Sequence, residues 1–116
     1  MKKIQNYIGG KLYEPSSGAY LDNYNPATGK VYSLIPDSDS SDVEKAVSAA
    51  KEAFPSWSAL PSEKRLRYLM AMAEKIEENL EELAIAESTD NGKPLWLAKS
   101  VDIPRASSNF RFYATA

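Results

Sequence analysis

Apolar and polar residues alternate in short bursts over the first third of the chain, then settle into steps of three and four. Between Gln5 and Glu14, QNYIGGKLYE sets a Gly-Gly pair between two β-prone segments. Both glycines tolerate positive φ, so this stretch predicts a tight hairpin. A second hairpin is predicted where AYLDNY and KVYSLI flank NPATGK, with Asn25-Pro26 starting the turn and Gly29 supplying its left-handed position. Four short strands then make residues 1–36 a β-hairpin region.

The period changes at SSDVEKAVSAAKEAF. Ser41 and Glu44 have capping-box spacing and Asp42 sits near the positive end of the dipole, which predicts a helix over 41–55 closed by Pro55. Its apolar face is Val43, Ala46, Val47, Ala50 and Phe54. A longer helix is predicted over 61–90, with Leu66, Leu69, Ala73, Ile76, Leu80 and Ala84 on one side and EKIEENLEE on the other. Gly92 and Pro94 end it. LWLAKSV reads as a short helical piece, after which Asp102 as N-cap and Pro104 in the first turn predict a last helix over 102–116. The fold class is α+β, with N-terminal β-hairpins followed by amphipathic helices around one small core.

Composition narrows the function classes. Fourteen basic and sixteen acidic residues give a net charge of −2, and no basic stripe suits a phosphate backbone, so nucleic acid is excluded as a partner. No apolar run reaches bilayer length, and MKKIQNYIGG lacks the apolar stretch of a signal peptide; membrane is excluded and a cytoplasmic location is expected. The chain holds no cysteine and no histidine. Disulfides, thiolate nucleophiles and imidazole acid–base chemistry are therefore absent from these residues.

The carboxylates of EKIEENLEE read as a solvated helix face. Neither glycine turn has the strand-to-helix context of a phosphate-cradling loop. Trp57 and Trp96 stand beside prolines and read as packing rings. Asp90, Asn91 and Gly92 make an oxygen-rich turn that a helix end explains without an ion. Arg105 and Arg111 fall about 120° apart on a helix; one points outward, the other lies nearer the face of Phe110 and Tyr113. A guanidinium fits a carboxylate through two parallel hydrogen bonds, whereas a surface ion pair explains an arginine equally simply.

In order and spacing, IGGKLYEP, DNYNPATGKVYSLIP, DVEKAVSAAKEAFPSWS, EKRLRYLMAMAEKIEENLEELAIAESTDNGKP and DIPRASSNFRFYA resemble the start of the NAD(P)-dependent aldehyde dehydrogenase superfamily. DIPR followed by NFRFYA is similar to its branch acting on 2-aminomuconic and 2-hydroxymuconic semialdehydes. The resemblance implies that residues 1–116 are an incomplete N-terminal part of a longer chain, belonging to an α/β Rossmann-type cofactor-binding domain, with the catalytic domain absent. It implies oxidation of an aldehyde to the acid with NAD or NADP through a cysteine thiohemiacetal. The cysteine, the asparagine-containing oxyanion hole and the water-activating glutamate all lie beyond residue 116, so no catalytic residue is expected here. This chain alone is expected to be inactive and to bind no cofactor.

Two positions carry site expectations by that resemblance. Arg105 falls at the substrate entrance, where an arginine of this motif would bind the carboxylate of a semialdehyde. Asp90 falls where some members use an aspartate, with a carbonyl from Asn23 or Tyr24, to hold a structural cation. The expected partners are the rest of the dehydrogenase chain or subunit and a small-molecule semialdehyde. A different class of function is a stand-alone helical module that binds a partner protein through Ile103, Phe110 and Tyr113.

Overall fold

The computed structural model describes all 116 residues, and they divide into two compact units, Met1–Ala59 and Leu60–Ala116. The expectation of one compact domain is thereby corrected. The buried apolar residues, Ala73, Ala84, Ala98 and Ile103, all belong to the second unit.

In the first unit, β2 (Asn6–Ile8) and β3 (Lys11–Tyr13) pair antiparallel, with Ile8 opposite Lys11. Gly9 and Gly10 form the two-residue turn at φ 57° and 82°, the double positive φ that matches a turn to strand twist. Strands β4 (Tyr20–Asn25) and β5 (Lys30–Pro36) form the second hairpin, with a bulge at Asn23/Tyr24. Its turn is held by the Asn25 side chain, which accepts from Ala27 N at 2.9 Å. A strand absent from the expectation, β1 (Lys2–Lys3), adds parallel to β5.

Helix α1 runs over Ser40–Ser58 instead of 41–55. Its N-cap is Asp39, whose Oδ1 accepts from Ser41 N at 2.8 Å, while Asp42 Oδ2 accepts from Asp39 N at 3.2 Å. The capping box is thus Asp39 with Asp42, not Ser41 with Glu44, because the carboxylate of Asp39 reaches the orphan amides first. Pro55 does not close α1: its fixed φ is helical, only one amide is lost, and Ala59 N still reaches Pro55 O at 3.2 Å. Val43, Val47 and Phe54 are exposed, so the apolar face expected to pack does not do so within this unit.

The second unit is helical. The helix expected over 61–90 is two, α2 (Ser62–Glu78) and α3 (Leu80–Asn91). The break is at Asn79, whose Nδ2 donates to Lys75 O at 2.8 Å, a local bond that competes with the helical ladder. Gly92 ends α3 in the left-handed conformation at φ 78° and donates its N–H to Ser88 O at 3.0 Å, as a helix-terminating glycine does. After Pro94 a single helical path opens with α4 (Leu95–Leu97), widens into a π turn over Ala98–Asp102, and continues as α5 (Ile103–Thr115).

The last helix therefore does not restart at residue 102. Asp102 has helical φ and ψ and makes no side-chain cap bond. Pro104 explains the wide turn: its ring would strike the carbonyl of Ser100 in a regular α-helix, and passing to a longer bond relieves the clash. The bond that replaces the α spacing is Ile103 N–H to Ala98 O.

Candidate functional site

Helix α5 carries Arg105, and α2 and α3 fix how it lies. Small side chains set the packing: Ala73, Ala84 and Ala98 are fully buried, and Ile103 joins Ala84 and Ala98 with Ile76 and Leu80 alongside. Residues this small let helix backbones approach closely, so α5 has little freedom to roll.

Polar contacts lock the same arrangement. Glu77 of α2 accepts from Arg111 through Nε at 3.0 Å and NH2 at 2.9 Å, and also from the hydroxyl of the buried Ser107. This is the two-pronged fit that favours arginine over lysine. The Arg111 hydrogen bonds, followed by that from Ser107, hold the Glu77 carboxyl below the ordinary carboxylate range. Glu77 is thus not merely part of a solvated face; its partners lie 30 and 34 residues away, beyond any local pattern. Near the π turn, Lys93 pairs with Asp102 at 2.7 Å, and Lys99 pairs with Glu81.

Arg105 is exposed on α5 and, unlike Arg111, has no hydrogen bond or ion pair within the chain. Asp90 is exposed at the end of α3, in the second unit, whereas Asn23 and Tyr24 are on β4 in the first. Asn23 donates to Tyr32 Oη at 2.9 Å and Ser33 Oγ at 3.1 Å. No group of three or more acidic, histidine or cysteine side chains is placed to hold a metal. Asp90 offers one carboxylate, where a hard cation takes about six oxygens.

Three further expectations change. Ile103 is buried inside the unit and Phe110 is half-buried, leaving Tyr113 at 68% exposure; the face drawn for a stand-alone interaction module is not one open surface. Trp57 and Trp96 are 40% and 68% exposed, so neither ring plugs a core. Two hollows lie elsewhere: about 600 Å³ against Tyr68, Met72, Ile76 and Leu83, and about 420 Å³ against Lys11, Tyr13 and Lys45. Neither includes Arg105 or Asp90. No helix is long and apolar enough to cross a membrane.

Comparison with known proteins agrees with the motif resemblance. The aldehyde dehydrogenase family model matches residues 13–116. The 2-aminomuconic semialdehyde dehydrogenase of Bos taurus is 49% identical over 113 residues, covering 97% of this chain and 23% of that protein. An aldehyde dehydrogenase of Vibrio cholerae is 44% identical over 109 residues, 94% of this chain and 22% of that one. Among solved structures, PnpE from Pseudomonas sp. WBC-3 superposes with a TM-score of 0.93 at 37% identity, over 99% of this chain and 23% of that chain. PnpE has also been solved in complex with nicotinamide adenine dinucleotide. The chain thus spans about a quarter of the length of the relatives it matches.

Proposed function

Because this chain belongs to the aldehyde dehydrogenase family, we propose that it is the N-terminal portion of a dehydrogenase that oxidises a carboxylate-bearing semialdehyde with NAD or NADP, Arg105 gripping the carboxylate. The observation that carries the substrate reading is the contrast between the two arginines of α5. Arg111 is spent on Glu77, while Arg105 is exposed and unpaired. The similarity to 2-aminomuconic semialdehyde dehydrogenases supports the same substrate class.

The thiolate that attacks the aldehyde would come from elsewhere in the longer chain, since these residues contain no cysteine. The cofactor would likewise be held by other segments. What this portion supplies is recognition: a fixed positive charge with planar donors, meeting the far end of the substrate while the aldehyde is held for reaction.

The test is Arg105→Ala in the full-length dehydrogenase carrying this segment. Losing a charge-assisted pair of hydrogen bonds is worth about 1.5–3 kcal/mol, so KM for a carboxylate-bearing semialdehyde should rise roughly 10- to 100-fold, with little change for an uncharged aldehyde. Equal changes for both substrates would remove the carboxylate role.

A further inference from the structure

The π turn decides which side of α5 faces the helical core. Measured from the buried Ala98 at 100° per residue, an uninterrupted α-helix would put Ile103 about 140° and Ser107 about 180° away from the packed side, with Arg105 only about 20° from it. That geometry would expose Ile103 and Ser107 and bury a guanidinium. The observed burial is the opposite: Ala98, Ile103 and Ser107 are 0%, 9% and 3% exposed, and Arg105 is exposed. One extra residue in the turn removes about 100° of rotation, bringing Ile103 to about 40° and Ser107 to about 80° and moving Arg105 to about 120° on the other side.

We propose that the π turn Ala98–Asp102, closed by the Lys93–Asp102 ion pair, is the positioning element that rolls α5 so that Arg105 faces outward as a free carboxylate-binding group. The ligand part of this assignment rests on the substrate reading of Arg105; the roll of the helix does not. Three observations converge on it: the bond from Ile103 N–H to Ala98 O, the pairing of Asp102 with Lys93 at 2.7 Å, and the burial pattern on either side of the turn. Glu77 secures the far end of the same roll by holding Ser107 and Arg111 together. A turn of this kind often marks a functional position in a helix. Here its effect is specific, because one residue more or less exchanges a buried isoleucine for a buried arginine.

The absence of native cysteine makes the roll directly measurable in this chain. Single variants Arg105→Cys and Ser107→Cys would be labelled with a maleimide under native conditions. Cys at 105 is expected to react at least tenfold faster than Cys at 107; equal rates, or the reverse order, would overturn the assignment. Deleting Ser100, which returns the turn to α spacing, is then expected to reverse that order. A preserved order would also overturn the assignment, since the turn would not be setting the phase. If the deleted chain instead labels at both positions as fast as in denaturant, it is unfolded and the order of rates at 105 and 107 in the undeleted chain decides the assignment. The second arm concerns substrate. In the full-length dehydrogenase, Asp102→Ala should lower kcat/KM for a carboxylate-bearing semialdehyde several-fold, through KM, and spare an uncharged aldehyde, with Asp102→Glu restoring most of the loss. Equal loss on both substrates would sever the turn from recognition. A labelling result as expected, beside an Arg105→Ala variant with no substrate selectivity, would instead locate the failure in the carboxylate reading.

Discussion

Replacing Ile103 by alanine tests the helical core at the point where the π turn delivers its first buried side chain. Ile103 is 9% exposed and packs on Ala84 and Ala98, with Ile76 and Leu80 beside it. Its nearest buried neighbours are already alanines, so they cannot swell into the space a smaller residue leaves. Isoleucine-to-alanine changes in cores cost about 2–5 kcal/mol, and the residual exposure places this one near ~3 kcal/mol. A unit of this size holds roughly 3–8 kcal/mol in total, so most of its stability would be lost. Val101 supplies the control. It is 42% exposed within the turn, and the small transfer loss on truncation is offset by the better helix propensity of alanine, leaving about 0–0.5 kcal/mol. Urea unfolding followed by Trp96 emission in a Trp57→Phe background reports the second unit alone, since those are the only tryptophans. At about 1–1.5 kcal/mol per molar urea the midpoint should fall by roughly 2–3 M for Ile103→Ala and stay nearly fixed for Val101→Ala. Comparable costs for the two variants, or a cost below about 1 kcal/mol for Ile103→Ala, would refute the account of the turn as the step that buries residue 103.

Other outcomes follow from the same structure. Asp42 is 5% exposed and accepts from Ser16 Oγ at 2.6 Å, Ser16 N at 3.0 Å and Asp39 N at 3.2 Å. The Ser16 side-chain bond leads the effects that hold its carboxyl below the ordinary range. A lowered folded-state value contributes stability that is present above the unfolded value near ~4 and is lost as pH falls through the folded one; unfolding of the first unit should steepen below about pH 4, and Asp42→Asn should flatten that dependence. Gly92→Ala forces a Cβ onto a residue at φ 78° and should destabilise the second unit by about 1 kcal/mol in urea titrations; no change would mean the left-handed cap is dispensable. Glu77→Gln should loosen α5, raising maleimide reactivity at Ser107→Cys; an unchanged rate would show that packing alone holds the roll.

The hairpins were legible because their turns announce themselves. Gly9-Gly10 and Asn25 through Gly29 have few alternatives to the turns observed, and strand pairing follows once a turn is fixed. The α+β class and the membership of the family were legible too, the latter through long motifs. Helix ends were less so. SDSSD offers several acceptors, and choosing Asp39 over Ser41 needs the geometry of the amides. Asn79 interrupts a polar and apolar rhythm that runs across it unbroken, and only its bond to Lys75 O reveals the break. The π turn shows in the sequence only through Pro104, which equally suits the first turn of a new helix. A fresh helix capped by Asp102 is the right element with the wrong origin, because a proline suits a first helical turn as well as a widened one. For the candidate site, Arg105 is proposed from its motif, whereas the partner of Arg111 depends on tertiary distance.

The close approach of α2 and α5 inverts the usual ranking of which positions tolerate sequence drift. Phe112 and Tyr113 stack edge to face, yet are 65% and 68% exposed, and within this unit they could be exchanged for polar residues at little cost. Ala73 and Ser107, which look interchangeable on a hydropathy plot, admit almost nothing larger. A variant library over α2 and α5 should therefore be depleted first at the smallest side chains and last at the aromatic ones, so that the helix interface would be traced by what is missing from the survivors.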